Sequence, residues 1–322
     1  MKKVSILAAA VGAALSTTTA LAADMPVKVT KAPPAVVSPW DLAFGAAIMN
    51  DYNFRGITQS NHKPSVAEYQ ELRYNWNSSL QTYLGLSGES ISFPNKAASE
   101  VDFYGGIRPT VGPVGFDFGI WYYYYPGGRC QGAGAPFAPA DCIDILPNGN
   151  TALSNVSFVE YYGKALWTVN DSLALGVNEF YDPSWLNSGS WGNFTEGTIK
   201  YTLPSTVPLP TGVGAYVSGE VGHYWFGKAP NPFLAAPPVF PVGAKYPGYT
   251  TWNAGGGFTW KVFTLDLRYY DTNLNRQQCN FLTADQTAGT VNVTGGAQGQ
   301  SSWCGASFIA KFSMDLTLSN LK

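Results

Sequence analysis

The sequence predicts an all-β fold, a closed antiparallel transmembrane β-barrel of about 12 strands with an N-terminal signal peptide. Three observations predict it. Polarity alternates with a period of two residues, long and short connections alternate along the chain, and charges and aromatic rings sort onto opposite strand faces. Composition agrees. The chain has 322 residues, 45% hydrophobic, 15% aromatic and only 12% charged, with 35 Gly. Soluble domains carry about 25% charged residues. Lys and Arg number 19 against 21 Asp and Glu, which leaves no basic surplus for nucleic acid. High hydrophobicity with little charge is the reverse of a disordered composition. No apolar run of about 20 residues follows the N-terminus, so a bundle of membrane-spanning helices is excluded.

Residues 1–22 read as the signal peptide. Lys2 and Lys3 supply its charged start, Val4 to Leu15 an apolar stretch too short to span a bilayer, and Ala20-Leu21-Ala22 a small-x-small cleavage site. The mature chain is expected to begin at Ala23 or Asp24, and loss of the two lysines takes the formal charge from −2 to −4. Residues 23–39 are Pro-rich and aperiodic, the pattern of an extended periplasmic tether. Residues 40–322 are expected to form the barrel.

From Trp40 onward the two-residue period sets in. Trp40, Leu42, Phe44, Ala46, Ile48, Tyr52 and Phe54 share one parity, and Asp41, Asp51, Asn53 and Arg55 the other. Val101, Phe103 and Ile107 oppose Asp102, Tyr104 and Arg108 in the same way. Phe263, Leu265, Leu267 and Tyr269 oppose Asp266 and Arg268, and Phe308, Phe312, Met314 and Leu316 oppose Lys311 and Asp315. Such alternation gives each strand one apolar and one polar face. The pattern predicts strands at 40–54, 66–76, 80–89, 100–108, 114–125, 158–169, 172–181, 193–203, 213–226, 250–260, 263–272 and 303–318.

A soluble sandwich or lipocalin-like barrel would turn the apolar face inward. Connections, aromatics and charges argue for the opposite sense. The odd connections are long (55–65, 90–99, 126–157, 182–192, 227–249 and 273–302), and the even ones are mostly tight turns. Long loops on one rim and short turns on the other mark an outer-membrane barrel. Trp40, Trp76, Trp167, Tyr201 and Trp260 fall on the apolar face near the short-turn rim. Tyr52, Phe54, Tyr124, Tyr181, Trp225 and Trp252 fall on it near the long-loop rim. Two such girdles match two membrane interfaces.

Strand charges fall almost entirely on the polar face. The expected pore-lining acids are Asp51, Glu71, Asp102, Asp117, Glu160, Glu196, Glu220, Asp266 and Asp315, with Asp41 and Glu89 on the same face. The expected pore-lining bases are Arg55, Arg73, Arg108, Lys164, Lys200, Arg268 and Lys311. Glu68, Glu179 and His223 break the phase, all near the long-loop rim, where a lipid-side charge costs little.

Cys130 and Cys142 share one long loop, and Cys279 and Cys304 flank another. In an oxidising compartment this predicts two local disulfides. Metal ligation is the rival reading of these cysteines, but only two His and no CxxC spacing exist, and no metal site is expected. Only His62, near Ser60 and Lys63, and His223, which reads better as an interfacial residue among Tyr224, Trp225 and Phe226, could serve as a hydrolytic base; a base without a positioned nucleophile and orienting group is not a triad, and no enzyme is expected.

The run Asn50-Asp51-Tyr52-Asn53-Phe54-Arg55-Gly56-Ile57-Thr58-Gln59-Ser60 resembles the opening signature of the TorF-type porin family of proteobacteria, with Asn50 and Thr58 in place of the usual serines. Val101 to Gly106, Tyr122 to Pro126, Val159 to Gly163, Tyr269 to Thr272 and Cys304 to Ser307 extend the likeness over most of residues 40–318. The resemblance implies an outer-membrane barrel with channel activity and an undefined substrate. The chain departs from the general pattern of such barrels in ending Leu318-Ser319-Asn320-Leu321-Lys322, without a terminal aromatic.

These readings predict a passive outer-membrane pore for small hydrophilic solutes or ions. Eleven acids against seven bases on the polar face predict a weak cation preference. The alternative is a structural or surface-interaction barrel whose lumen is plugged, with the 126–157 loop as the segment to watch. The expected partners are outer-membrane lipid and lipopolysaccharide, the solutes or ions themselves, and the barrel-assembly machinery; no cofactor is expected.

Overall fold

The computed structural model describes residues 14–15, 27–28, 38–129, 143–228, 245–289 and 299–318. The predicted signal peptide and tether, and Cys130 with Cys142, lie outside the described residues apart from a two-residue ladder of Ala14–Leu15 with Val27–Lys28 and the tether's last two positions. The rest is a closed antiparallel barrel of twelve strands. They are β1 (Trp40–Met49), β2 (Ser65–Asn77), β3 (Leu80–Ser90), β4 (Ser99–Val111), β5 (Val114–Tyr124) and β6 (Phe158–Thr168). They continue with β7 (Leu173–Asp182), β8 (Gly192–Thr202), β9 (Val213–Phe226), β10 (Tyr249–Trp260), β11 (Phe263–Thr272) and β12 (Ser307–Thr317). Each strand pairs with its sequence neighbours, and β12 closes on β1 with Lys311 opposite Met49 and Thr317 opposite Ala43. Closure removes both sheet edges, which lipid could not satisfy.

The barrel is inverted relative to a soluble one. Ile48, Val66, Leu84, Phe103, Ile120, Val177, Val221 and Phe258 stand exposed on the outer face. Trp40, Trp76, Trp167, Tyr201 and Trp260 ring one end, and Tyr124, Tyr181, Trp225 and Trp252 the other. The buried hydrophobic cluster is aromatic and lies inside, toward the long-loop end.

Three elements depart from the expected pattern. β1 stops at Met49 instead of continuing to 54, because Arg55 and Gly56 take left-handed backbone angles (φ 49° and 83°) that close a tight hairpin of Asn53–Phe54 with Ile57–Thr58. Tyr52 and Phe54 therefore leave the predicted girdle. Tyr52 is 0% exposed, and Phe54 packs against the interior aromatic cluster. β12 begins at Ser307 instead of 303, because Trp303 and Cys304 pair with that hairpin. The last long loop contains a helix, α1 (Arg276–Thr283), started by a capping box in which Asn275 and Gln278 each accept from the other's backbone N–H.

Candidate functional site in the barrel interior

The first long loop enters the barrel. Its hairpin is fixed locally by Asn53 Oδ1, which accepts from the Gly56 N–H at 2.9 Å, and by Thr58 and Ser60, whose hydroxyls meet the Asp51 carboxylate. Its tip carries Arg55 to the opposite wall. There Arg55 Nη1 and Nη2 donate to the two oxygens of Glu160 on β6, at 2.6 and 3.0 Å. Tyr123 adds a hydrogen bond to Glu160 Oε2 at 2.9 Å, and Tyr249 donates to the Arg55 carbonyl at 3.1 Å. The guanidinium lies 4.5 Å from the ring centres of Phe54, Phe180 and Phe194 and 5.1 Å from that of Tyr224. Both charges are buried. A buried charge requires a partner, and this pair has two-point geometry and an aromatic cage.

The hairpin is held from above by the last loop. Thr58 N–H donates to the Trp303 carbonyl at 2.9 Å, Trp303 Nε1 donates to Asn61 Oδ1 at 2.9 Å, and His62 Nε2 lies 2.9 Å from the Ser302 carbonyl. A disulfide joins Cys304 to Cys279 of α1. His62 Nδ1 lies 2.9 Å from Asp51 Oδ2. Both ring nitrogens thus face acceptors, and the Asp51 bond, with the Ser302 carbonyl adding to it, raises the His62 pKa above its ordinary value against partial burial. Because Ser302 occupies Nε2, Ser60 is not aligned with His62 as a nucleophile would be. The 126–157 loop takes a different course. Its described part reaches α1, where Asn150 and Asn280 exchange amide hydrogen bonds at 2.8 and 2.9 Å.

Below the hairpin the wall charges are bound to one another. Arg108 grips Glu71 with two hydrogen bonds (2.7 and 2.9 Å), reaches Asp117 at 3.0 Å, and sits 3.5 Å over the Tyr83 ring. Arg73 bonds Glu71 at 2.5 Å. Across the lumen Arg268 bonds Asp266, Asn253 and Ser218, while Tyr216 donates to Asp266 at 2.6 Å. Glu220 accepts from Asn253, and Glu196 from Asn178, each at 2.6 Å. Toward the short-turn end the inward charges Asp41, Asp117, Asp315, Lys164, Lys200 and Lys311 are only half-buried. Lys164 and Lys200 lie over the rings of Tyr162 and Tyr216 at 4.9 and 4.1 Å.

The sequence reading places Asp51 and Arg55 on the wall of β1; the structure corrects this, because both belong to the inserted hairpin. The remaining candidates stand on strands and face inward. Asp102 joins Glu89 and Glu100 in a buried cluster of three carboxylates whose ligand oxygens lie within 4.8 Å of one another. Glu100 escaped the sequence reading although it shares the parity of Asp102, the signal that would have found it. Burial and the nearby Glu100 push the Tyr52 hydroxyl well above the tyrosine range, so it stays a donor, to Glu100 Oε1 at 2.9 Å.

Residues 33–148 match the family model described as a bacterial protein of unknown function, Gcw_chp. No curated protein matches the sequence. Among solved structures, the NanC porin is similar at 11% identity and a TM-score of 0.42, over 86% of this chain and 100% of that one. An outer membrane channel from Pseudomonas putida F1 is similar at 9% identity and a TM-score of 0.42, over 90% and 100%. LpxR from Salmonella typhimurium is similar at 9% identity and a TM-score of 0.39, over 85% and 99%. These likenesses concern general barrel shape, and no activity passes from those proteins to this one.

Proposed function

We propose that the protein is an outer-membrane barrel that is closed at rest, with the hairpin at 50–62 as its plug. The outward apolar band between two aromatic rings supports the membrane location, and the long loops then face out of the cell. The signature Asn50 to Ser60, on which the resemblance to TorF-type porins starts, is the segment that forms the plug. One observation carries the reading: the Arg55–Glu160 pair crosses the interior and is sealed among aromatic rings. Side chains so placed obstruct the interior at that level. Twelve strands enclose a narrow lumen, between the filled interior of about eight and the wide channel of 16–18.

The test is conductance in planar bilayers. Full-length protein is expected to be silent, whereas a variant with residues 51–62 replaced by a four-residue Gly-Ser turn is expected to conduct. Steady conductance by the full-length protein would overturn the closed state. Silence of the variant, once it is shown to be folded, would show that the hairpin is not the block.

A further inference from the structure

The geometry points to a divalent-cation site, of calcium size, formed by Glu89 on β3 with Glu100 and Asp102 on β4. Most of the other buried acids of the interior have an arginine partner or a donor to at least one carboxylate oxygen, whereas Glu89 has neither among the described residues. Glu160 has Arg55, Glu71 has Arg73 and Arg108, Asp266 has Arg268, and Asp182 has Tyr224. This cluster differs. Both carboxylate oxygens of Glu89 are buried with no hydrogen-bond partner, and the buried Oδ1 of Asp102, with none at hydrogen-bonding distance, is faced by the Trp121 indole N–H. Asp102 Oδ2 receives Ser87 at 3.1 Å and Glu100 Oε1 receives Tyr52 at 2.9 Å, but no Lys or Arg pairs with any of the three among the described residues. The facing titratable groups are Glu68, Tyr125 and Glu160; Tyr125 bonds Glu100, and none of the three brings positive charge.

Burying three carboxylates without a counter-charge is costly, and a bound cation removes the cost. The chemistry of the donor set selects the ion. All ligands are hard oxygens, which suits calcium or magnesium and disfavours metals that seek sulfur or imidazole. Ligand oxygens within 4.8 Å of one another allow a common centre no more than about 2.8 Å from each. That limit accommodates the calcium distance of about 2.3–2.6 Å, and three carboxylates without bound water suit calcium better than magnesium, which usually keeps several waters. Ser87 and Tyr52 hold the second lone pairs of the ligands and fix their orientation. The site lies at the long-loop end, where divalent cations enter from outside. It is independent of whether the barrel conducts.

The experiment uses the folded full chain in lipopolysaccharide-free micelles with terbium as probe. Trp121 and Tyr52 lie close enough to sensitise its luminescence. Expected are saturable emission at one ion per chain, displacement by calcium, and a thermal midpoint higher in calcium than in EDTA. Glu89→Gln should weaken terbium binding at least tenfold and erase the calcium-dependent part of the midpoint, while Glu179→Gln, on the outer face, should change neither. No saturable emission from the wild type, or identical midpoints in calcium and EDTA, would overturn the site and leave three carboxyls that share protons instead. Unchanged terbium affinity in folded Glu89→Gln would place the ion elsewhere and overturn it too.

Discussion

Arg55 and Glu160 lie 105 residues apart in sequence and meet through two hydrogen bonds inside the barrel, one from a loop and the other from the wall. Removing one member strands the other. Arg55→Ala leaves a buried carboxylate and should cost about 3–5 kcal/mol, or release the hairpin to avoid that cost. Chemical unfolding in micelles and limited proteolysis at 51–62 distinguish the two outcomes. Arg55→Met with Glu160→Leu should recover most of the loss, since paired apolar replacement is often neutral. Arg55→Lys should behave more like Ala than like Arg, because it loses the second hydrogen bond and the flat face that the rings enclose.

His62 makes the hairpin clamp dependent on pH. Its folded-state pKa is raised, with the Asp51 hydrogen bond as the largest cause. Its contribution is therefore complete below the unfolded value, about 6.5, and is lost as pH rises through the folded value. The thermal midpoints of wild type and His62→Gln should differ most below about pH 6.5 and converge as pH rises through the raised folded value. A gap that widens with pH would contradict the double-donor arrangement to Asp51 and Ser302.

The outward face makes a separate prediction about location. Leu84, in the middle of β3, is 71% exposed. Leu84→Arg should cost about 2–4 kcal/mol when the barrel folds into a bilayer, whereas Glu68→Arg, near the rim, should cost about 0–1 kcal/mol. Equal costs at the two sites would mean that the band does not face lipid.

Much of this fold was legible in the sequence because the period of two is a local property. Lys164 opposes Asp117, and Lys311 opposes Asp266, because each strand keeps its phase and the turns are short. What local periodicity cannot show is a change of direction. Tyr52 and Phe54 keep the parity of Trp40, so they read as lipid-facing until the left-handed angles at Arg55 and Gly56 fold the segment back. The carboxylate cluster was hidden for a related reason. Glu89 and Glu100 are neighbours across the β3–β4 ladder, and which acids end up without a base depends on register between strands. The disulfide between Cys279 and Cys304 was readable, since both sit at the ends of one loop, but the helix that carries Cys279 was not.

Ion preference follows from which charges the interior leaves partly exposed. The excess of eleven acids over seven bases counts side chains that the structure buries and binds. Glu71 and Asp266 are committed to Arg73, Arg108 and Arg268, and Asp51 to Thr58, Ser60 and His62. The half-buried inward charges are Asp41, Asp117 and Asp315 against Lys164, Lys200 and Lys311, which balance. Replacing residues 51–62 removes Arg55 and leaves Glu160 facing the opened path. That variant should prefer cations weakly at 0.1 M salt and lose the preference toward 1 M, where the screening length falls to about 3 Å. Adding Glu160→Gln to it should abolish the preference at low salt. Reversal potentials across a salt gradient report both results. If selectivity survives Glu160→Gln, the bound acids of the wall set the field, and pairing with arginine does not silence them.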